Sequence, residues 1–163
     1  MTEITHSETV LRRYVDALQA GDAEAVRSFF AQDATWTLRA GDLPMSGTWR
    51  GRDRIVDGFF ATAMANYEPG SIELETTAMI ADRDQIVLQW TSRARTLDGQ
   101  PYENGCIGIF TVREGKIHAV REYMDTLYLA DAFSRGNRGD RRLRASVEQR
   151  SREGGMEDAL LGS

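Results

Sequence analysis

The chain has 163 residues, of which 41% are hydrophobic, 28% charged and 9% aromatic, enough apolar mass for one globular core and too much for a disordered or collagen-like chain. A net charge of −5 opposes a phosphate backbone and argues against nucleic acid as a partner. One cysteine, Cys106, and two histidines, His6 and His118, give no internal disulfide and no metal site, and without a long apolar run or a basic-then-apolar amino terminus the expectation is a cytoplasmic protein with no membrane contact.

Ser7 is a candidate N-cap for a first helix whose apolar stripe, Val10, Leu11, Tyr14, Val15 and Leu18, recurs at helical spacing until Gly21 stops it. A second, short helix is expected from Ala23 to about Ala31, with Val26, Phe29 and Phe30 inward. Ala34 to Leu38 alternates as a strand does, and the stretch from Arg39 to Arg50, with Pro44 and two glycines, reads as a loop. After Gly51 a third helix carries Ile55, Val56, Phe59, Phe60, Ala63 and Met64 on one stripe and ends at Glu68-Pro69-Gly70.

Everything from Ser71 to Thr126 reads as strand, broken by turns at Ala81-Asp82-Arg83-Asp84, Leu97-Asp98-Gly99-Gln100-Pro101 and Arg113-Glu114-Gly115-Lys116. Early helices followed by four long antiparallel strands imply an α+β domain in which the sheet wraps a helix. The domain is expected to span residues 1–133. Residues 134–163 form an Arg/Gly-rich C-terminal tail with 7 Lys+Arg against 5 Asp+Glu, whereas the preceding 133 residues hold 13 against 20. Such a tail lacks the apolar residues to order itself alone.

Four segments carry a family resemblance: Leu18-Gln19-Ala20-Gly21-Asp22, Phe29-Phe30-Ala31-Gln32-Asp33-Ala34, Gly51-Arg52-Asp53, and Phe110-Thr111-Val112-Arg113-Glu114-Gly115-Lys116-Ile117. Together they resemble the nuclear transport factor 2-like superfamily over about residues 7 to 133. That superfamily includes SnoaL-like polyketide cyclases, ketosteroid isomerases and limonene-epoxide hydrolases. The resemblance implies a cone-shaped barrel, a strongly curved, mostly antiparallel sheet wrapped around N-terminal helices. Tyr14 matches the helix-1 tyrosine that, in ketosteroid isomerases, donates to the developing enolate oxygen. The positions of that isomerase's general base and second donor fall on Leu38 and Gly108, so its full mechanism is not implied. Against limonene-epoxide hydrolases, Asp125 falls on the acid that protonates the epoxide and Arg93 on the bridging arginine, but the water-activating aspartate position is Arg95. In SnoaL-like cyclases a single late-strand aspartate acts as acid/base, and Asp125 resembles it.

Strict alternation places Ile117, Ala119, Arg121, Tyr123 and Asp125 on one face of the last strand, and His118, Val120, Glu122 and Met124 on the other. If the concave face holds Asp125, the pocket contains one carboxylate and up to three arginines, Arg93, Arg95 and Arg121. An aspartate paired with Arg93 stays ionised and suits a general base, while a second guanidinium stabilises an enolate or binds a carboxylate. Tyr14 and Tyr123 are candidate hydroxyl donors. Trp36, Trp49, Phe60, Met64 and Cys106 are candidate ligand contacts in an apolar cone. Ile107, Ile109, Val120 and Met124 would then form an apolar outer patch suited to a homodimer.

The expected function is that of a cofactor-free enzyme acting by acid/base catalysis on a small hydrophobic, oxygenated and possibly anionic substrate, as a cyclase, isomerase or hydrolase. The alternatives are an epoxide hydrolase-like enzyme with an altered triad, a non-catalytic ligand-binding module, and an assembly subunit working through its outer face and tail.

Overall fold

The computed structural model describes residues 6–134, so the expected tail falls, from residue 135 on, outside the described residues. The chain runs α1 (His6–Gln19), α2 (Ala23–Phe29), β1 (Phe30–Leu38), β2 (Gly47–Arg50), α3 (Arg52–Arg54), a π-helical segment (Ile55–Phe60), α4 (Ala61–Met64), β3 (Glu73–Asp82), β4 (Gln85–Arg95), β5 (Pro101–Arg113) and β6 (Lys116–Met124). A last helix covers residues 126–134.

Local chemistry explains the helical layer. Gly21, at φ +68°, ends α1, a backbone turn that glycine adopts without a Cβ penalty. Asp22 then caps α2, its carboxylate accepting from the backbone N–H of Ala25 at 2.9 Å. Arg27 on α2 reaches Asp53 and Asp57, both at 2.7 Å, and holds α2 against the third helix. That third helix is continuous from Arg52 to Met64 but widens into a π turn, where Gly58 leaves room for the Trp49 ring: a Cβ there would stand 2.6 Å from Trp49 Cζ3.

The six strands form one sheet in the order β2-β1-β6-β5-β4-β3. All pairs are antiparallel except β1 with β6, which run parallel. The sheet is curved and open: its edges β2 and β3 do not pair, so it is not a closed barrel. Its inner face and the helices enclose the core, in which Leu11, Tyr14, Phe30, Leu38, Ile55, Ile86, Phe110 and Ile117 are essentially inaccessible. Truncating a residue such as Phe110 to alanine would cost about 3–5 kcal/mol.

Four expectations are corrected. Strand β1 begins at Phe30 rather than Ala34, because its early residues pair with β6 through an irregular register. The expected loop over Arg39–Arg50 contains β2, whose Trp49 lies opposite Trp36. The last strand ends at Met124, and Asp125 opens a helix instead. Alternation along β6 is also not continuous: Thr111 pairs with Ala119 but Val112 pairs with Ile117, so the strand carries an extra residue. Ile117 is therefore buried on the same side as Val120 and Glu122, while Arg121, Tyr123 and Asp125 are exposed.

Candidate active site

Helices and sheet enclose a cavity of about 130 Å3. Its wall is built from Tyr14 of α1, Trp36 of β1, Phe59 and Phe60 of the π turn, Leu88 and Trp90 of β4, Cys106 and Phe110 of β5, and Glu122 and Met124 of β6, among others. The register explains this convergence. Gly108 stands opposite Glu122 and opposite Leu88, so the inward rows of β4, β5 and β6 meet at one level. Gly108 itself must be small, since a Cβ would come within 2.5 Å of the Phe110 ring and 3.1 Å of Trp90.

Among the described residues Glu122 is the one carboxylate on this wall, 8% exposed, and its Oε2 accepts a hydrogen bond from Trp36 Nε1 at 2.9 Å. Burial disfavours the ionised form and the indole N–H favours it. Burial wins, and the carboxyl is pushed up to about 7. Among the described residues, no lysine, arginine or histidine lines the cavity. Also on the wall, the hydroxyl of Tyr14 is buried with no hydrogen-bond partner. Burial, reinforced by the charge of Glu122, holds that phenol well above the ordinary tyrosine range, so it remains a donor. The Cys106 thiol is pushed up to about 12 by burial and by Glu122, which keeps it protonated and inert. Tyr102, also on the wall and also raised to about 12 by burial, accepts from Asn104 Nδ2 at 3.0 Å.

A family model described as a SnoaL-like domain matches residues 11–120. The chain belongs to the SnoaL-like domain family. Solved structures with the same fold include a nuclear transport factor 2-like protein of unknown function from Burkholderia pseudomallei, 18% identical over 78% of this chain and 97% of that one, with a TM-score of 0.71. TerC, co-crystallised with polyporic acid, is 20% identical over 80% of this chain and 99% of its own, with a TM-score of 0.72. A hypothetical protein with a ketosteroid isomerase-like fold from Catenulispora acidiphila, in complex with trimethylamine, is 18% identical over 70% of this chain and 83% of its own, with a TM-score of 0.59.

Within this SnoaL-like domain the expected site residues separate into two groups. Tyr14, Trp36, Phe60, Met64 and Cys106 stand on the cavity wall. Asp125 does not. It is exposed just past β6, where its Oδ1 accepts from the backbone N–H of Tyr128 at 3.0 Å and caps helix 126–134. Its backbone N–H and C=O are held by Asn104, at 3.3 and 3.0 Å. Arg93, with its side chain 43% exposed, pairs with Glu75 and Glu103 at 2.6 Å on the outer face, not with Asp125. Arg95 is exposed, donating to the carbonyl of Gly99 at 2.9 Å, and Arg121 and Tyr123 also face outward. Trp49 packs behind Phe59 and donates to the carbonyl of Met45, away from the cavity wall.

The physical reason is the parity of β6. Cys106 pairs with Met124, and Gly108 with Glu122, so a wall containing Cys106 contains the even-numbered residues of β6 and excludes Asp125. The same parity removes Val120 and Met124 from the outer patch: Val120 is 1% exposed and Met124 lines the cavity. Glu122 is the residue that alternation alone could have found. It sits between Val120 and Met124, the apolar pair, whereas the alternative face carries Arg121 and Tyr123. Among the described residues, no group of three His, Cys, Asp or Glu is placed to hold a metal ion, and no helix is long and apolar enough to cross a membrane.

Proposed function

We propose that this SnoaL-like domain is a cofactor-free enzyme that moves a proton on a hydrophobic, oxygenated small molecule, as a cyclase or isomerase does, with Glu122 as the acid/base and Tyr14 as the donor to substrate oxygen. The observation that supports it is one carboxyl poised near neutrality inside an apolar cavity, with an unpartnered hydroxyl on the same wall. A carboxyl titrating near the working pH is the optimum for both accepting and returning a proton. When Glu122 removes a proton next to a carbonyl, the enolate oxygen that develops needs a donor already in place, and the Tyr14 hydroxyl has no competing partner. With no cation among the described residues of the wall, the reaction suits a neutral substrate rather than the anionic one that inward arginines would have held. The exposed positions of Asp125, Arg93 and Arg95 leave no acid–arginine relay of the epoxide-hydrolase kind in the cavity. Polyporic acid and trimethylamine in two similar structures support a cone that holds small organic molecules, without naming this chain's own ligand.

The test is deuterium exchange at the α-carbon of neutral cyclic ketones, such as 2-indanone, followed by NMR. The wild-type protein is expected to accelerate exchange and Glu122→Gln to abolish the acceleration while still binding the ketone. Binding without acceleration in the wild type favours a non-catalytic module, and full activity in Glu122→Gln contradicts the assignment.

We also propose a homodimer through the outer sheet face. Ile107 at 41%, Tyr123 at 54% and Ile80 at 67% exposure, with Ile109 between them, form an apolar area that a monomer would leave against water. Ile109→Lys is expected to halve the sedimenting mass, and an unchanged profile contradicts this.

A further inference from the structure

The cavity beside Glu122, at about 130 Å3, matches the space that accepts a single benzene ring in an apolar protein interior, about 150 Å3. Sites for drug-sized ligands hold roughly 300–1,000 Å3. A second concavity of about 1030 Å3 lies between the C-terminal turn of α1, the α4 turn and the start of β3. The two adjoin. Leu18, Phe60, Met64, Tyr67, Ile72 and Leu74 line both, forming a neck in which five of the six side chains are apolar. Met64, 42% exposed, brings that neck to the surface, and a hydrogen bond from Gln19 Nε2 to the carbonyl of Leu74, at 2.7 Å, fixes α1 to β3 along the groove. Among the described residues the groove carries Glu68 and Glu73 and no lysine or arginine, and the neighbouring Arg95 is taken by Glu68 at 3.6 Å.

We infer that the neck joins the two halves of one binding site, with a ring-sized oxygenated head in the cavity and an uncharged hydrocarbon tail in the groove. The ligand class is an elongated, non-anionic amphiphile, one oxygenated ring bearing an alkyl or acyl chain. The inference rests on the small-molecule reading of the cavity. The shared apolar boundary decides the occupant: a peptide laid in the groove would leave the apolar neck beneath it unfilled, whereas a chain growing out of the cavity fills both. Glu73 and the Arg95-paired Glu68 offer a terminal carboxylate no free cation among the described residues, which disfavours a free fatty acid tail. Met64 and Phe60, on the neck, set the width of chain that passes.

The test is calorimetric titration of the full chain with 4-alkylphenols from 4-ethylphenol to 4-heptylphenol. The wild-type Kd is expected to fall about fourfold with each added methylene through the whole series, as burial of each one from water requires. Ala61 and Ala65 are exposed and line the groove but not the cavity, so Ala61→Trp and Ala65→Trp block the tail without touching the head. Both variants are expected to bind 4-ethylphenol as the wild type does and to lose the gain beyond 4-propylphenol. A wild-type series that flattens beyond 4-propylphenol overturns the inference, and so does a series that stays steep in both tryptophan variants. Glu122→Gln separates this from the acid/base reading. Its chain-length slope is expected to persist while its proton exchange is lost; exchange that survives beside a persistent slope sinks the acid/base reading alone, and a flat wild-type series beside intact exchange sinks the tail groove alone.

Discussion

Trp36 Nε1 donates to Glu122 Oε2 at 2.9 Å, a bond that joins β1 to β6 inside the cavity and ties the indole of an aromatic cluster to the only carboxylate that the described residues place on its wall. The Trp36 ring lies 5.1 Å from both Phe59 and Phe60, so the donor is held by packing as well as by the bond. Trp36→Phe keeps an aromatic ring and removes the donor. Because that N–H favours ionised Glu122, the variant is expected to titrate at a higher pH than wild type, and the pH profile of ketone exchange should move upward with it. Carboxyl-carbon NMR across the pH range checks the direction.

The raised carboxyl of Glu122 makes a stability prediction with a definite sign. An unfolded glutamate titrates near 4.5 and the folded one at about 7, so between those values the folded state keeps a proton that the unfolded state has lost. The stabilisation is complete below pH 4.5, falls by about 3 kcal/mol as the pH rises to 7, and does not change further above it. In Glu122→Gln this fall is absent. The difference in unfolding free energy between the two proteins, from urea titrations at pH 4, 5, 6, 7 and 8, is expected to shift toward the variant across that window and to stay constant beyond it.

Tyr14→Phe removes a buried hydroxyl that has no partner. An unsatisfied buried polar group costs on the order of 1–3 kcal/mol, so the variant is expected to gain about 1 kcal/mol in unfolding free energy. If the hydroxyl serves substrate oxygen, ketone exchange should fall by about 100-fold in the same protein. Higher stability with lower turnover is a combination that a purely structural tyrosine would not produce.

Asp125→Ala breaks the cap on helix 126–134 and leaves the cavity wall untouched. The expected cost is about 1 kcal/mol of stability with no change in exchange rate. Thermal unfolding and the ketone assay measured side by side check both halves.

Much of this architecture was legible in the amino-acid sequence. The apolar stripe of α1, the Asp22–Ala23 boundary of α2 and the three hairpin turns between β3 and β6 are local signals, set by spacing and turn chemistry, and they read correctly. The parallel β1–β6 pairing and the short β2 strand were not legible, because each depends on contacts between segments far apart in the chain. Tyr14, Trp36, Phe60 and Met64 reached the wall because stripes of large apolar residues face inward whatever the exact topology. The choice of Asp125 over Glu122 followed the family resemblance, against the apolar Val120 and Met124 that flank Glu122. Buried Ile117 lies on the parity of Asp125, and counting outward from it across the irregularity reverses every later side chain. The arginines misled for a related reason. Arg93 and Arg95 do project together, but outward, where Glu75, Glu103 and Glu68 take them.

The central claim is that Glu122 is the functional carboxyl, and the most direct measurement of it is an NMR pH titration of protein labelled with carbon-13 at the glutamate side-chain carboxyls. One resonance is expected to titrate near pH 7 and to vanish in Glu122→Gln. Titration of every glutamate within the ordinary range near 4.5 would contradict the account.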